Sequence, residues 1–265
     1  MNNKLTVQQV KEQLQSIHHM DDPLLQTFLQ DPRKGVQQAV KNRQRQLEKL
    51  AIDRHQYDER LVYERRLWQT QAYVAGVDEV GRGPLAGPVV AASVILPKDP
   101  HLLIGVNDSK QLSKTKRLIF VELIKEVALS YSIAAVSAEQ IDELNIYQAT
   151  KLAMKQAVEG LSIEPDSLLI DAMTIDTSLP QQSLIKGDQR SLSIAAASIL
   201  AKEYRDALMI EYHKGYPQYG FNQHMGYGTK KHLEALQKWG PSPIHRQSFS
   251  PVNQFLKNKN GIQSI

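Results

Sequence analysis

The stretch Ala75–Pro88, AGVDEVGRGPLAGP, constrains the fold more than any other part of the chain. An apolar run, YVAGV (73–77), stops at two adjacent carboxylates, Asp78 and Glu79. A loop with three glycines and two prolines follows, and a second apolar run, Val89–Leu96, begins at once. Two strand-like runs joined this closely predict an antiparallel hairpin. Successive strand residues point to opposite faces. Asp78 and Glu79 therefore serve one site only if the strand ends between them, and the GRGP run predicts that ending. Carboxylates at a strand end attract hard divalent cations, and glycines let a backbone approach a ligand. The pairing points to metal-assisted chemistry on a phosphate-containing substrate. The loop reads GxGxxxG and leads into a strand, which argues against a dinucleotide site.

Composition narrows the possibilities. At 265 residues and 42% hydrophobic, the chain can bury a large core. It has no cysteine, which excludes disulfides, thiolate metal sites and cysteine nucleophiles and suits a reducing cytoplasm. No apolar run approaches the ~18 residues of a membrane span, and the N-terminus lacks the apolar segment of a signal peptide. The net charge is +4, which favours a polyanionic partner. Residues 1–70 hold 12 Lys+Arg against 9 Asp+Glu, and the remainder 20 against 19. The first quarter carries most of the excess, which suits phosphate contacts.

Residues 1–70 read as an all-helical extension. Thr6 and Gln9 form a capping box before Val7, Val10, Leu14 and Ile17. Asp22-Pro23 opens a second helix, and Asp31-Pro32 fits an N-cap with proline at the first helical position. From Val36 to about Trp68 no breaker appears, predicting one helix of ~50 Å. From residue 71 to 265 the texture is α/β. Strands are expected at Tyr73–Asp78, Val89–Leu96, Tyr131–Val136, Ser167–Asp171 and Ser183–Lys186. Helices are expected at Ser113–Ser130, from Ser137 to about Leu161, Ser191–Lys214 and Thr229–Trp239. This order predicts a mixed central sheet flanked by helices. The residues from Phe255 on read as a frayed tail.

Four acids sit at element ends: Asp78, Glu79, Asp171 and Asp188. Strand termini of α/β sheets are where ligands bind, and two cations ~4 Å apart can activate water and stabilise a leaving oxygen. Asp188 also fits a helix N-cap, and Asp171 a strand-end turn. Asp108, Asp142, Asp166 and Asp176 read as cap or turn residues, and Glu203 and Asp206 as a solvated helix face. His224, His232 and His245 lack metal-ligand spacing and read as structural or phosphate-proximal.

The segments GVDEVGRGPLAGPVVAASVIL (76–96), NDSKQLS (107–113), LLIDAM, KGDQRSLSIAAASILAKEYRD (186–206), HMGYGTKKH (224–232) and PIHRQSFSP (243–251) together resemble the bacterial ribonuclease HII family. The resemblance covers residues 71–252 and implies the ribonuclease H-like fold. It implies an endonuclease that cleaves the RNA strand of RNA–DNA hybrids and the 5′ side of ribonucleotides embedded in duplex DNA. By this resemblance Asp78, Glu79, Asp171 and Asp188 are catalytic and hold Mg²⁺ or Mn²⁺. Gly81, Arg82 and Gly83 match the loop that senses the 2′-hydroxyl, the group that distinguishes RNA from DNA. Tyr227 matches a tyrosine that packs on the sugar; without the resemblance it reads as a core tyrosine. Lys110 of NDSKQLS reads as a phosphate contact. The Gly-Arg-Gly loop separates this family from the related ribonuclease HIII group.

Overall fold

A computed structural model describes residues 5–255; the expected tail beyond Phe255 lies outside them. The chain divides into two compact units, one up to Asp58 and one from Glu59. No helix among the described residues is long and apolar enough to cross a membrane.

The first unit is helical: α1 (Val7–Gln15), α2 (Pro23–Leu29) and most of α3 (Lys34–Arg60). Thr6 and Gln9 make both bonds of the capping box, and Asp22 caps α2 through the Leu24 amide. Asp31 is not the cap of α3. Its carboxylate takes the Arg33 amide at 3.0 Å and the Arg33 guanidinium at 2.7 Å, so α3 starts later, at Lys34. Val10, Leu14, Ile17, Leu25, Phe28, Val36, Val40 and Leu47 form a small core of their own. Leu50, further along α3, is exposed.

The single long helix expected to Trp68 does not form. α3 ends at Arg60, and α4 (Val62–Leu67) starts after Leu61, whose ψ is 0°. Its 27 residues make α3 about 40 Å long. Leu61, Glu64 and Trp68 are all buried. Their burial builds the segment from Glu59 into the second unit, ahead of residue 71, where the sequence texture changes.

The second unit carries a five-stranded mixed sheet. Its strands are β1 (Val74–Val80), β2 (Val89–Ile95), β3 (Ser130–Val136), β4 (Ser167–Asp171) and β5 (Gln181–Leu184), in the order β3-β2-β1-β4-β5. The β1–β2 hairpin and the β2–β3 pair are antiparallel; β4 and β5 run parallel to β1. The helices are α5 (Lys114–Val127), α6 (Ala138–Leu144), α7 (Ile146–Glu159), α8 (Gly187–Arg190), α9 (Leu192–Gly215), α10 (Phe221–His224) and α11 (Lys230–Trp239). The helix expected from Ser137 to Leu161 is broken at Asn145. That residue adopts φ 68°, and its side chain caps α7 through the Tyr147 and Gln148 amides. The last strand lies two residues earlier than expected, because Lys186 turns into the left-handed region (φ 55°) ahead of α8.

One face of the sheet packs Ala75, Val77, Ala91, Leu168 and Ile170 against Ala149, Ala153 and Met154 of α7. The other face receives α9, whose first ten residues are all buried, as an all-round apolar helix must be. Gly76 lets α9 come close. A Cβ there would fall 2.2 Å from the Ser193 carbonyl carbon and 2.4 Å from the Ile194 nitrogen, both backbone atoms. We expect Gly76→Ala to destabilise the fold by about 1–3 kcal/mol, the usual cost of overpacking. A chemical-denaturation midpoint equal to the wild type would show that the backbones can part without loss.

Candidate metal and nucleic-acid site

Asp78 lies on the α9 face of β1, where its carboxylate accepts the Glu79 amide at 2.7 Å and the Ser198 hydroxyl. β1 does not end between the two acids; it pairs with β2 through Asp78↔Ala92, Glu79↔Ala91 and Val80↔Val90. The neighbour on the other side ends instead. β4 pairs with β1 only up to Val77↔Ile170 and stops at Asp171, one residue further. Beyond Val77 the β4 side of β1 is open, and Glu79 reaches the site from the continuing strand. Asp78, Glu79 and Asp171 each offer an oxygen, all within 4.8 Å of one another.

Asp188 stands outside that closest trio. It lies in α8, not at an N-cap, and borders the same cavity of about 320 Å³. Lys110, Ser109, Ser198, Lys202 and Tyr227 line that cavity too. Asp171 Oδ1 accepts the Gly187 amide at 2.5 Å, which ties α8 to the end of β4. Ala172 (φ 47°) and Lys186 (φ 55°) carry left-handed backbone beside these acids. Such backbone is costly for residues with a Cβ and is kept where the surroundings impose it.

The charges are unbalanced. Burial, then Glu79 and Asp171, push the Asp78 carboxyl well above the usual range. Burial, opposed by Arg82 and reinforced by Asp171, raises Glu79. Burial raises Asp171 against the Gly187 amide and Lys110. Burial, Asp108 and Asp171 push Asp188 up to about 6. Glu79 Oε2 is buried with no hydrogen-bond partner. An all-oxygen donor set, short of positive charge and with an orphaned acceptor, fits a hard divalent cation. A roomier cleft of about 540 Å³ is lined by Glu139, Asp142, Glu143 and Gln247. There Asp142 is committed to the Gln247 and Ser248 amides, and among the described residues the acids whose oxygens converge are Asp78, Glu79 and Asp171.

The profile of the family described as Ribonuclease HII matches residues 75–252, and that of the Ribonuclease HII N-terminal domain matches residues 6–68. The chain belongs to the ribonuclease HII family. Ribonuclease HII of Bacillus cytotoxicus is 49% identical over 257 residues, covering 97% of this chain and 99% of the relative. That of Halalkalibacterium halodurans is 52% identical over 256 residues, covering 96% and 97%. The crystal structure of ribonuclease H2 from Pyrococcus horikoshii OT3 superposes with a TM-score of 0.62 at 25% identity, over 71% of this chain and 99% of that one. The chain is thus a nuclease, a hydrolase of phosphodiester bonds, with the ribonuclease H-like fold expected from the motifs.

In this ribonuclease HII family member the Gly81–Gly83 loop has an internal frame that the sequence reading missed. Arg246 donates from Nη2 to the Gly81 carbonyl (2.5 Å), from Nη1 to that of Arg82 (2.9 Å) and from Nε to that of Gly87 (3.0 Å). Arg205 donates to the carbonyls of Pro88, Ala86 and Met225. Both guanidiniums are buried, and neither forms an ion pair with a carboxylate among the described residues. Burial pushes Arg246 down to about 9. Gly81 has φ 93°, and a Cβ there would meet Arg205 Nε at 2.2 Å, so only glycine fits. Arg82 is exposed, 3.5 Å from Glu79. Gly83 leaves open space in which a Cβ would touch only the Tyr227 ring, at 3.8 Å. Tyr227 is 45% exposed and is not a core residue.

Three acids read as surface or turn residues are buried. Asp108 holds the Lys110 amide, but it also lies close enough to Asp188 and Asp171 to raise both carboxyls. Its position two residues before Lys110 in NDSK is the available signal. Glu203 pairs with Arg117, and Asp206 pairs with Lys202 at 2.7 Å, both on the buried side of α9. Arg117 also holds the Ser109 and Leu112 carbonyls, which frames the Lys110 loop.

The histidines form a chain that ends at Tyr227. The Ser242 amide donates to His245 Nδ1 (2.9 Å), so the His245 proton sits on Nε2 and points at His232 Nε2 (2.9 Å). His232 Nδ1 then donates to the Tyr227 carbonyl (2.9 Å). This relay requires both rings neutral, and burial pushes His232 down to about 4 and His245 down to about 3. The unfolded chain takes up protons on both below about pH 6.5. Their contribution to stability is therefore complete above that pH and is lost as pH falls towards 4. We expect His245→Asn to flatten the pH dependence of unfolding free energy between pH 6 and 4.5 by about 1.4 kcal/mol per pH unit. Parallel wild-type and variant curves would show that the ring is not held neutral.

Proposed function

We propose that the chain is a divalent-metal-dependent endonuclease. It would cleave the RNA strand of RNA–DNA hybrids and the 5′ side of ribonucleotides embedded in duplex DNA, leaving 3′-hydroxyl and 5′-phosphate ends. The observation that carries this reading is the cluster of Asp78, Glu79 and Asp171 oxygens within 4.8 Å of one another, facing Lys110 and an exposed tyrosine that abuts Gly83. Asp78, Glu79, Asp171 and Asp188 are the proposed holders of Mg²⁺ or Mn²⁺. When bound, two such ions supply the Lewis acidity that activates water and stabilises the leaving oxygen.

The chain's own groups account for selection. Gly81, Arg82 and Gly83 present backbone to the minor groove, where a 2′-hydroxyl is the feature that marks RNA. Gly83 leaves space for a sugar beside Tyr227, whose exposed ring packs on it. Lys110 meets a backbone phosphate. This chemistry serves ribonucleotide removal from DNA and RNA primer removal, and the cytoplasm is the proposed compartment.

A labelled duplex carrying one ribonucleotide tests the reading. With Mg²⁺ or Mn²⁺ we expect a single cut 5′ to the ribonucleotide and a 3′-hydroxyl product, and none with EDTA. Binding that needs no metal and gives no product would favour a hybrid-binding protein in which the acids are structural.

A further inference from the structure

The N-terminal family profile runs to residue 68, yet its last turn is built into the second unit beside the carboxylates. Glu64 on α4 is wholly buried. Its Oε1 accepts three hydrogen bonds at the start of α9: the Ser191 hydroxyl at 2.6 Å, the Ser193 amide at 2.9 Å and the Ser193 hydroxyl at 2.7 Å. A carboxylate suits a helix N-terminus, where free amides and the helix dipole favour negative charge. One residue earlier, Tyr63 receives a hydrogen bond from Arg190 of α8, and that guanidinium lies over the Tyr63 ring at 5.2 Å. Arg60 donates to Asn107 Oδ1, beside Asp108 and the Lys110 loop.

These contacts lead to the acids in few steps. Ser191, held by Glu64, donates its amide to the Gly187 carbonyl at 2.8 Å. Gly187 donates its own amide to Asp171. Asp188 lies between Gly187 and Arg190, so α8 is tied on one side to Glu64 and Tyr63 and on the other to Asp171. Ser193, also held by Glu64, rests against Gly76, two residues before Asp78. We propose that Glu64 is a positioning residue for the metal site: from the last turn of the N-terminal segment, it fixes the α8–α9 junction that sets Asp188 relative to Asp171 and Asp78. The proposal rests on the four acids being metal ligands.

The test uses the full chain and Mn²⁺ alone as probe, by titration calorimetry, together with the Mn²⁺ concentration for half-maximal cleavage of a duplex carrying one ribonucleotide. Groups that orient ligands typically change metal affinity 10- to 100-fold when removed. Glu64→Ala should raise both the Mn²⁺ Kd and the half-saturating concentration about tenfold. Glu64→Gln keeps an acceptor for the serine donors and should stay within about threefold of wild type. Ile141→Val, a core change beneath the other face of the sheet, should lower stability and leave the Mn²⁺ Kd unchanged. If Glu64→Ala does not fold, Glu64→Asp decides: too short to reach the serines, it should still raise the Kd about fivefold. A Kd within twofold of wild type in the folded Ala or Asp variant overturns the proposal, whatever the loss of stability. So does a Gln variant as weak as the Ala variant. If the wild type itself neither binds Mn²⁺ nor cleaves, it is the metal-ligand reading that has failed.

Discussion

Asp78→Asn should abolish cleavage while leaving the metal-free protein at least as stable as the wild type. The two halves of this result have one cause. Asp78 is a buried acid whose carboxyl is pushed well up by burial and by its neighbours Glu79 and Asp171. The folded state bears the cost of burying this acid beside two others, and Asn removes that cost with nearly the same shape. The amide oxygen can still accept the Glu79 amide. The loss appears on adding metal, because three converging carboxylates become two. A bound cation contributes several kcal/mol to a phosphoryl transition state, and each 1.36 kcal/mol is tenfold in rate. We expect a fall of at least about 10³-fold in single-turnover cleavage of a duplex carrying one ribonucleotide. Thermal unfolding should show the same split: Mg²⁺ raises the wild-type Tm by mass action, and it should hardly move the variant. Normal cleavage by Asp78→Asn would remove Asp78 from the site.

The sequence carried the local signals well, because they are written within a few residues. The capping box at Thr6, the helix starts expected at Ser113, Ser137 and Thr229 and the β1–β2 hairpin all appear where the sequence pattern puts them. The strand ends pointed to acids that do border one cavity. What the sequence hid depends on contacts between distant segments. Asp78 and Glu79 meet Asp171 because the neighbouring strand stops, and no residue near them in sequence announces where β4 ends. The breaks at Leu61 and Asn145 fall where no proline or glycine stands, and each serves packing or capping elsewhere. Glu203 and Asp206 lie on a helix whose second half looks solvated, yet their partners Arg117 and Lys202 are held on its buried side. The basic residues that matter to the glycine loop, Arg205 and Arg246, sit more than a hundred positions away from it.

Arg246 carries the second large expected effect. Its guanidinium is fully buried and serves the carbonyls of Gly81, Arg82 and Gly87 at once. Arg246→Ala leaves three carbonyls without their donor and opens a cavity over Phe249, on whose ring the guanidinium stacks at 5.0 Å. An orphaned buried polar group costs about 1–3 kcal/mol, and some carbonyls will find water. A total of about 3–5 kcal/mol is expected, a fall in Tm of roughly 10 °C for a chain of this size. Arg246→Lys keeps a charge but offers one ammonium where three donors in a planar fork are needed. It should fold and lie between the two in stability. Its activity distinguishes a frame for the loop from a bulk stabiliser. The carboxylates do not touch Arg246, so kcat with saturating substrate should change little. Because Gly81 and Arg82 lose their fixed aim, KM for a duplex with one ribonucleotide should rise about tenfold. An Ala variant within 2 °C of wild type would deny the loop its buried frame. A Lys variant with unchanged KM would separate that frame from recognition.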